Sequence, residues 1–334
     1  MRCRAEVRSS AQARHPMKLI CIFWLGLTLL HSPRLVAQSG KEELVTDSSA
    51  VRVLKGTLLI PDGPGSVNVV LIIAGSGPTD RDGNSPALKS GYLKLLAESL
   101  ADNGIASLRY DKRGISKSKF FGREEELVLE DFANDAARWV DWLRKDKRFS
   151  KVVVAGHSEG SLLGMLAAQR VRVDGFISLA GAGRPIDTIL KEQLHANTNN
   201  PAQLIQSADQ IIDSLKMGLR VRQVPSLLSG LFRPSIQPFL ISWMKYDPAQ
   251  EFQRLHMPAM IVQGTTDIQV SMADAEALAN AKPTAVYLII EGMNHVFREA
   301  PSDRAENIKT YFQPTQPLKA ELVRGVVEFV RKLK

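Results

Sequence analysis

From about residue 50 onward, short apolar runs alternate with longer stretches whose apolar residues recur every three or four positions. Residues 67–74 (VNVVLIIA) are almost continuously apolar, as expected of a strand buried on both faces of a sheet. Residues 51–60 read as strand, or as one arm of a hairpin, ending at Pro61-Asp62-Gly63. Shorter runs predict strands at 105–110, 152–155, 175–179, 259–263 and 285–290. Helical spacing predicts helices over 88–103, with Gly104 as a C-cap, and over 124–147, 161–171, 271–281 and 318–333. Repeated strand–helix–strand order predicts an α/β fold, a mostly parallel sheet with helices on both faces. Crossovers in such a sheet are right-handed, and ligands bind at the carboxyl ends of its strands.

One segment breaks the alternation. Residues 184–255 show no strand pattern but carry helical stretches at 187–194, 202–217 and 238–246, with proline breaks. A helical insertion ahead of the next strand reads as a cap over a binding site; the plainer reading is a set of packing helices. The organisation expected is a leader over 1–37, core over 38–183, a helical insertion over 184–255 and core again over 256–334.

The leader changes how the charge is read. A basic stretch up to Met17-Lys18 precedes an apolar core at 19–30 and small residues near Val36-Ala37, the order of an export signal cleaved near Ala37. The apolar core falls short of the roughly 20 residues of a membrane span, although an uncleaved anchor is the alternative. Translation could begin at Met1 or Met17. The expected location is periplasmic or extracellular, with no stable membrane insertion after cleavage. The whole chain carries a formal charge of +8. Setting aside the six basic residues and one acid of the leader leaves 37 basic against 34 acidic residues, a net +3. That balance, with no basic run interleaved with aromatics, marks no nucleic-acid surface. Both cysteines, Cys3 and Cys21, lie in the leader. The remaining chain therefore has no disulfide, no thiol nucleophile and no cysteine metal site.

The chemistry concentrates in a few short motifs. Gly156-His157-Ser158-Glu159-Gly160 matches G-x-S-x-G, with an apolar strand before it and a helix after it. That context presents a serine on a tight strand-to-helix turn, and the helix N-terminus behind it favours developing negative charge. Serine needs a base. Beyond the leader stand His157, His195, His256 and His295. His157 adjoins the serine and reads as a packing residue, His195 as a residue of the inserted segment, and His256 as lying at the opposite sheet edge. His295 follows the 285–290 strand and emerges at the same edge as Ser158. Asp267 follows the 259–263 strand through Gly264-Thr265-Thr266, ahead of its rivals Asp274 and Glu291. The order Ser158, Asp267, His295 is that of a strand–elbow–helix hydrolase. An oxyanion site needs backbone N–H donors: Glu159 after the nucleophile, and Ser76 in the Gly75-Ser76-Gly77-Pro78 loop.

Two charged loops remain. Asp80, Asp82 and Asn84 are spaced like the start of a calcium loop, but Ser85 replaces the required glycine and the closing glutamate is absent. The loop reads as a brace or pocket rim. Asp111-Lys112-Arg113-Gly114 reads as a structural turn. Neither H-E-x-x-H nor a Walker A pattern occurs.

With these motifs in view, the chain from about residue 50 to 334 resembles the α/β-hydrolase superfamily. Within it, the chain is similar to bacterial secreted esterases of the serine-aminopeptidase-like branch. The resemblance rests on residues 74–78, 109–114, 156–160, 264–267 and 292–295, together with the Asp-Arg-Asp-Gly-Asn loop at 80–84. One departure is Ala74, where many relatives carry histidine. The resemblance implies carboxylic-ester hydrolysis of a small-molecule ester without metal or organic cofactor, through a Ser-His-Asp triad and an acyl-enzyme. Peptidase, aminopeptidase or acyltransferase chemistry on the same residues is the alternative, and a catalytically inactive binding protein a further one. Nothing in the chain marks an oligomeric state.

Overall fold

The computed structural model describes residues 40–333; the leader predicted over 1–37 lies outside the described residues. In chain order the strands are β1 (Gly40–Ser48), β2 (Arg52–Pro61), β3 (Val67–Ile73), β4 (Ala106–Tyr110), β5 (Lys119–Phe120), β6 (Phe149–His157), β7 (Gly175–Leu179), β8 (Ala259–Gly264) and β9 (Val286–Ile290). The principal strands lie in the order β1-β2-β4-β3-β6-β7-β8-β9, with the short β5 paired to β2. From β4 to β9 every neighbouring pair in that order is parallel, while β2 joins β4 and β1 antiparallel. All six parallel strands therefore deliver their carboxyl ends to one edge.

The core lies in two layers, one on each face of this sheet. Side chains alternate between the layers because successive residues of a strand point to opposite faces. In β3, Val69, Leu71 and Ile73 enter one layer while Val70 and Ile72 enter the other. In β6, Val152 and Val154 take the first layer, Val153 and Ala155 the second. This two-sided burial is why these strands read as unbroken apolar runs. Helices α1 (Tyr92–Ala101), α2 (Leu129–Lys145) and α3 (Glu159–Arg170) follow β3, β5 and β6. Buried residues of α1 belong to one layer, those of α2 and α3 to the other.

The two helices that fall furthest short of their predicted spans, 88–103 and 124–147, do so for identifiable reasons. Gly91, with φ 67°, interrupts the 88–103 stretch, so α1 begins at Tyr92. The 124–147 stretch divides into a 3-10 turn at Glu124–Glu126 and α2, with Val128 extended between them. There the Asp131 carboxylate accepts the Val128 N–H at 3.1 Å and supplies the first turn with an acceptor.

Between β7 and β8 the chain contributes α4 (Ile186–Ala196), α5 (Ala202–Lys216), α6 (Ser229–Phe232), α7 (Gln237–Trp243) and α8 (Pro248–Gln253), and no strand. After β8 come α9 (Met272–Ala281), α10 (Arg304–Tyr311) and α11 (Ala320–Arg331). The strongly two-faced α11 buries Leu322, Val326, Val327, Phe329 and Val330 in the same layer as α1. Among the described residues, no helix is long and apolar enough to cross a membrane.

Candidate active site

Loops after all six parallel strands leave the carboxyl edge of the sheet and meet there. β6 ends in a turn on which Ser158 takes φ 54° and ψ −121° at the start of α3. Few residues with a Cβ adopt such a backbone, and it is held here by tertiary contacts. The Ser158 N–H donates to the Leu179 carbonyl at the end of β7, at 3.0 Å. A Cβ on Gly156 would stand 2.1 Å from the Gly160 carbonyl oxygen, so the turn closes only around a glycine.

Asp267 and His295 are brought together by the loops after β8 and β9. A Cβ on Gly264 would lie 1.9 Å from the Met293 carbonyl oxygen, a measure of how closely the two loops pack. The Thr266 N–H donates to Met293 at 3.2 Å, and the Gly292 N–H to Thr265 Oγ1 at 2.9 Å. Across this junction His295 Nδ1 stands 2.7 Å from Asp267 Oδ2. Asp267 Oδ1 accepts the N–H groups of Gln269 and Val270 at 2.8 and 3.0 Å. Gln263 Nε2 reaches Oδ2 at 3.2 Å. The carboxylate is thus surrounded by donors, which fixes its orientation and makes Nδ1 of His295 the protonated nitrogen. Nε2 is then left as the acceptor of the ring. Ser158 and His295 line one cavity together, with Gly75, Ser76, Tyr92, Gln269 and Tyr311 among its walls.

The His295 loop is held from behind by two buried residues. Arg298 is fully buried, and its guanidinium donates to Ser90 Oγ and to the carbonyls of Ser90, Thr310, Pro314 and Gln316. Its own backbone closes the loop through Asn294, whose Oδ1 accepts the Arg298 N–H at 3.0 Å and whose N–H donates to the Arg298 carbonyl. Asn294 in turn donates to Thr310 of α10 at 2.7 Å.

The second support is His157. Its Nε2 lies 2.9 Å from the His295 carbonyl, which can only accept, so Nε2 carries the proton. Nδ1 then accepts the Tyr92 hydroxyl at 2.9 Å. The sequence reading of His157 as a packing residue is incomplete: the side chain is buried but also anchors the backbone of His295. Burial holds the His157 pKa well below the ordinary histidine value, and the charges of His295 and Lys112 push the same way, outweighing the opposite pull of the bond to the His295 carbonyl. The folded chain therefore binds this proton more weakly than the unfolded chain, whose histidine titrates near about 6.5. This contribution to stability is complete above that value and is lost as pH falls towards the folded-state pKa. Urea midpoints are expected to drop between about pH 7 and 5.5, and to drop less in a His157→Gln protein. Equal drops in the two proteins would count against this account.

The other candidates occupy distinct places. His195 is exposed on α4 and pairs with Asp209 at 3.0 Å; His256 and Glu291 are exposed. Asp274 is buried at the start of α9. Burial raises its pKa, but bonds from Arg184 and Ser271 and the Arg184 charge outweigh that and hold it below the usual carboxylate range. Ser76 and Glu159 both line a larger cavity with Ser158. Neither backbone N–H donates to a protein acceptor among the described residues. The 80–84 loop is a brace: Asp80 caps its own loop N–H groups, Arg81 binds Asp111 at 2.7 Å, and Asp82 binds Arg109 at 3.1 Å. The 111–114 loop is more than a turn, because Lys112 Nζ donates to the Gly75 carbonyl at 2.6 Å and to Glu159 Oε1 at 2.8 Å. The sequence signals only that this loop leaves the functional edge.

A mostly parallel sheet flanked by helices, with a serine on a strand-to-helix elbow and a histidine–aspartate pair on later loops, defines an α/β-hydrolase. The chain belongs to the family described as serine aminopeptidase, S33, whose model matches residues 87–299. That match takes in Ser158, Asp267 and His295 and begins after the Gly75–Pro78 loop. The chain is 28% identical over 262 residues to Esterase EstD of Thermotoga maritima, covering 74% of this chain and 58% of that protein. It thus spans under two thirds of that relative's length. Among solved structures it is similar to Est1E from Butyrivibrio proteoclasticus with ferulic acid bound, at TM-score 0.58 and 18% identity, covering 86% of this chain and all of that one. It is also similar to the Pyrococcus furiosus esterase Pf2001, at TM-score 0.55 and 15% identity, covering 89% and 94% of the two chains.

Proposed function

We propose that the protein is a serine hydrolase that cleaves carboxylic esters through an acyl-enzyme. The observation that carries this reading is the 2.7 Å contact of His295 Nδ1 with Asp267, with Ser158 and His295 lining one cavity. In the proposed cycle His295 Nε2 takes the Ser158 Oγ proton as Oγ attacks the ester carbonyl. The oxyanion is received by the N–H groups of Ser76 and Glu159. Collapse breaks the bond to the alkoxy oxygen, which leaves as the alcohol with the proton from His295. Water then gives a proton to His295 and attacks the acyl carbon; the bond from that carbon to Ser158 Oγ breaks, Oγ takes the proton back from His295, and the acid is freed.

The two cavities that meet at Ser158 suggest which part of the ester goes where. His295 must reach the departing oxygen, and it lines the smaller cavity, of about 160 Å³, with Thr79, Ser85, Tyr92 and Gln269. The larger cavity, of about 650 Å³, has mainly apolar walls that include Ile189, Leu190, Phe239, Leu240 and Trp243 from the helices between β7 and β8. A short alcohol in the first and an extended or aromatic acyl group in the second fit these linings, with the inserted helices acting as the cap. An aminopeptidase would need an uncommitted carboxylate for the substrate ammonium. The two acids lining the larger cavity, Glu124 and Glu159, are bonded to Arg233 and Lys112, which favours the ester reading.

Side-by-side assays on p-nitrophenyl acyl esters and aminoacyl anilides test this proposal. Each added acyl methylene is expected to raise kcat/KM by up to about fourfold, from roughly 0.8 kcal/mol of transfer free energy, until the cavity fills. Anilide turnover should be far slower. Faster anilide than ester cleavage, or no gain from acetyl to hexanoyl, would overturn the assignment.

A further inference from the structure

We infer that Lys112 is a positioning residue for the oxyanion site, acting through the Gly75 carbonyl and resting on the hydrolase reading above. The Gly75 carbonyl and the Ser76 N–H belong to one planar trans peptide and point in opposite directions. Lys112 Nζ holds that carbonyl at 2.6 Å. Pinning the oxygen fixes the plane and so fixes where the Ser76 N–H is aimed. This peptide passes directly against the nucleophile, since a Cβ on Gly75 would lie 3.1 Å from Ser158 Cβ. The same ammonium donates to Glu159 Oε1 at 2.8 Å, and Glu159 supplies the other proposed donor. One cation at the end of β4 thus ties the loop after β3 to the first turn of α3.

Two physical considerations favour this role over simple packing. Lys112 and Glu159 are 4% and 6% exposed. A buried ion pair is weak support for stability, because apolar residues of similar volume often do as well. A cation on a carbonyl also draws electron density from the amide and strengthens its N–H as a donor. Oxyanion donors contribute when they are aimed before charge develops, and a peptide free to rotate would lose that advantage.

The test compares Lys112→Met with the double variant Lys112→Met/Glu159→Gln, using a p-nitrophenyl ester and an alkyl boronic acid that forms a tetrahedral adduct on serine. Removing a whole oxyanion donor costs about 10²–10³ in kcat. A donor merely misaimed by Lys112→Met is expected to cost about ten- to hundredfold by the same measure, with KM within about threefold. The boronate Ki should rise with the fall in kcat. Because Ki does not depend on how much of the preparation is folded, an unchanged Ki overturns the proposal even if the variant is unstable. The double variant removes the stranded carboxylate and should recover the melting temperature, but neither kcat nor Ki. Recovery of kcat would show that Lys112 serves only to neutralise Glu159. Ser158→Ala is run alongside: activity retained there overturns the hydrolase reading itself, whereas an inactive Ser158→Ala with an unaltered Lys112→Met Ki overturns only the inference about Lys112.

Discussion

Ser158→Ala is expected to lower kcat on an activated ester by about 10⁶-fold, the scale seen when a triad nucleophile is removed. Residual turnover of about 10³–10⁴ over water should persist from binding and the oxyanion donors. The loss cannot be ascribed to misfolding, because alanine keeps the Cβ and therefore the same backbone strain at φ 54°. Strain of this kind costs about 1–3 kcal/mol, so Ser158→Gly should be equally inactive yet more stable than Ser158→Ala by about that amount. Kinetics, urea denaturation and mass-spectrometric mapping of a fluorophosphonate adduct check the three parts. An active Ser158→Ala protein, or an adduct on another side chain, would remove the basis of the mechanism.

Asp267→Asn should lower kcat by about 10⁴-fold near neutral pH with little effect on folding. The direction follows from the donors around the carboxylate. Oδ1 accepts two backbone N–H groups, from Gln269 and Val270, so an asparagine keeps its oxygen there. Its NH₂ group is then turned towards His295 Nδ1 and can only donate. The imidazole must place its proton on Nε2, the nitrogen needed to accept from Ser158, and the base is lost although the ring stays in place. A loss smaller than about tenfold would mean that the Asp267 contact is structural and that another group orients His295. The proline-free stretch from Gln263 to Val270 should fold as before, and thermal unfolding of the variant verifies this.

How much was legible beforehand depended on how locally each feature is encoded. Strands β3, β6, β7 and β8 could be read because both faces are buried and the apolar runs are therefore uninterrupted. Strand β1 could not. Its sequence, GKEELVTDS, is largely exposed, and it is a strand because β2 offers a free edge along which nine residues pair in register. Helix α10 escaped for the same reason: RAENIKTY carries little apolar signal, and its buried Asn307, Thr310 and Tyr311 are placed there by the His295 loop. Arg298 and His157 could be seen as residues but not as supports, since Arg298 binds Ser90 from 208 positions away and His157 reaches His295 from 138.

By itself the amino-acid sequence determined the alternating α/β architecture, the elbow at Ser158 and the order in which Ser158, Asp267 and His295 follow successive strands. Each is written in a few adjacent residues, where burial period, glycine geometry and strand-to-helix junctions act locally. Only the tertiary structure decided that Lys112 bridges Gly75 and Glu159, that His157 holds the His295 backbone, and that a small polar cavity and a large apolar one meet at Ser158. Those outcomes depend on which strands the crossovers set side by side, and a buried charge or a cavity wall is defined by neighbours that are distant along the chain.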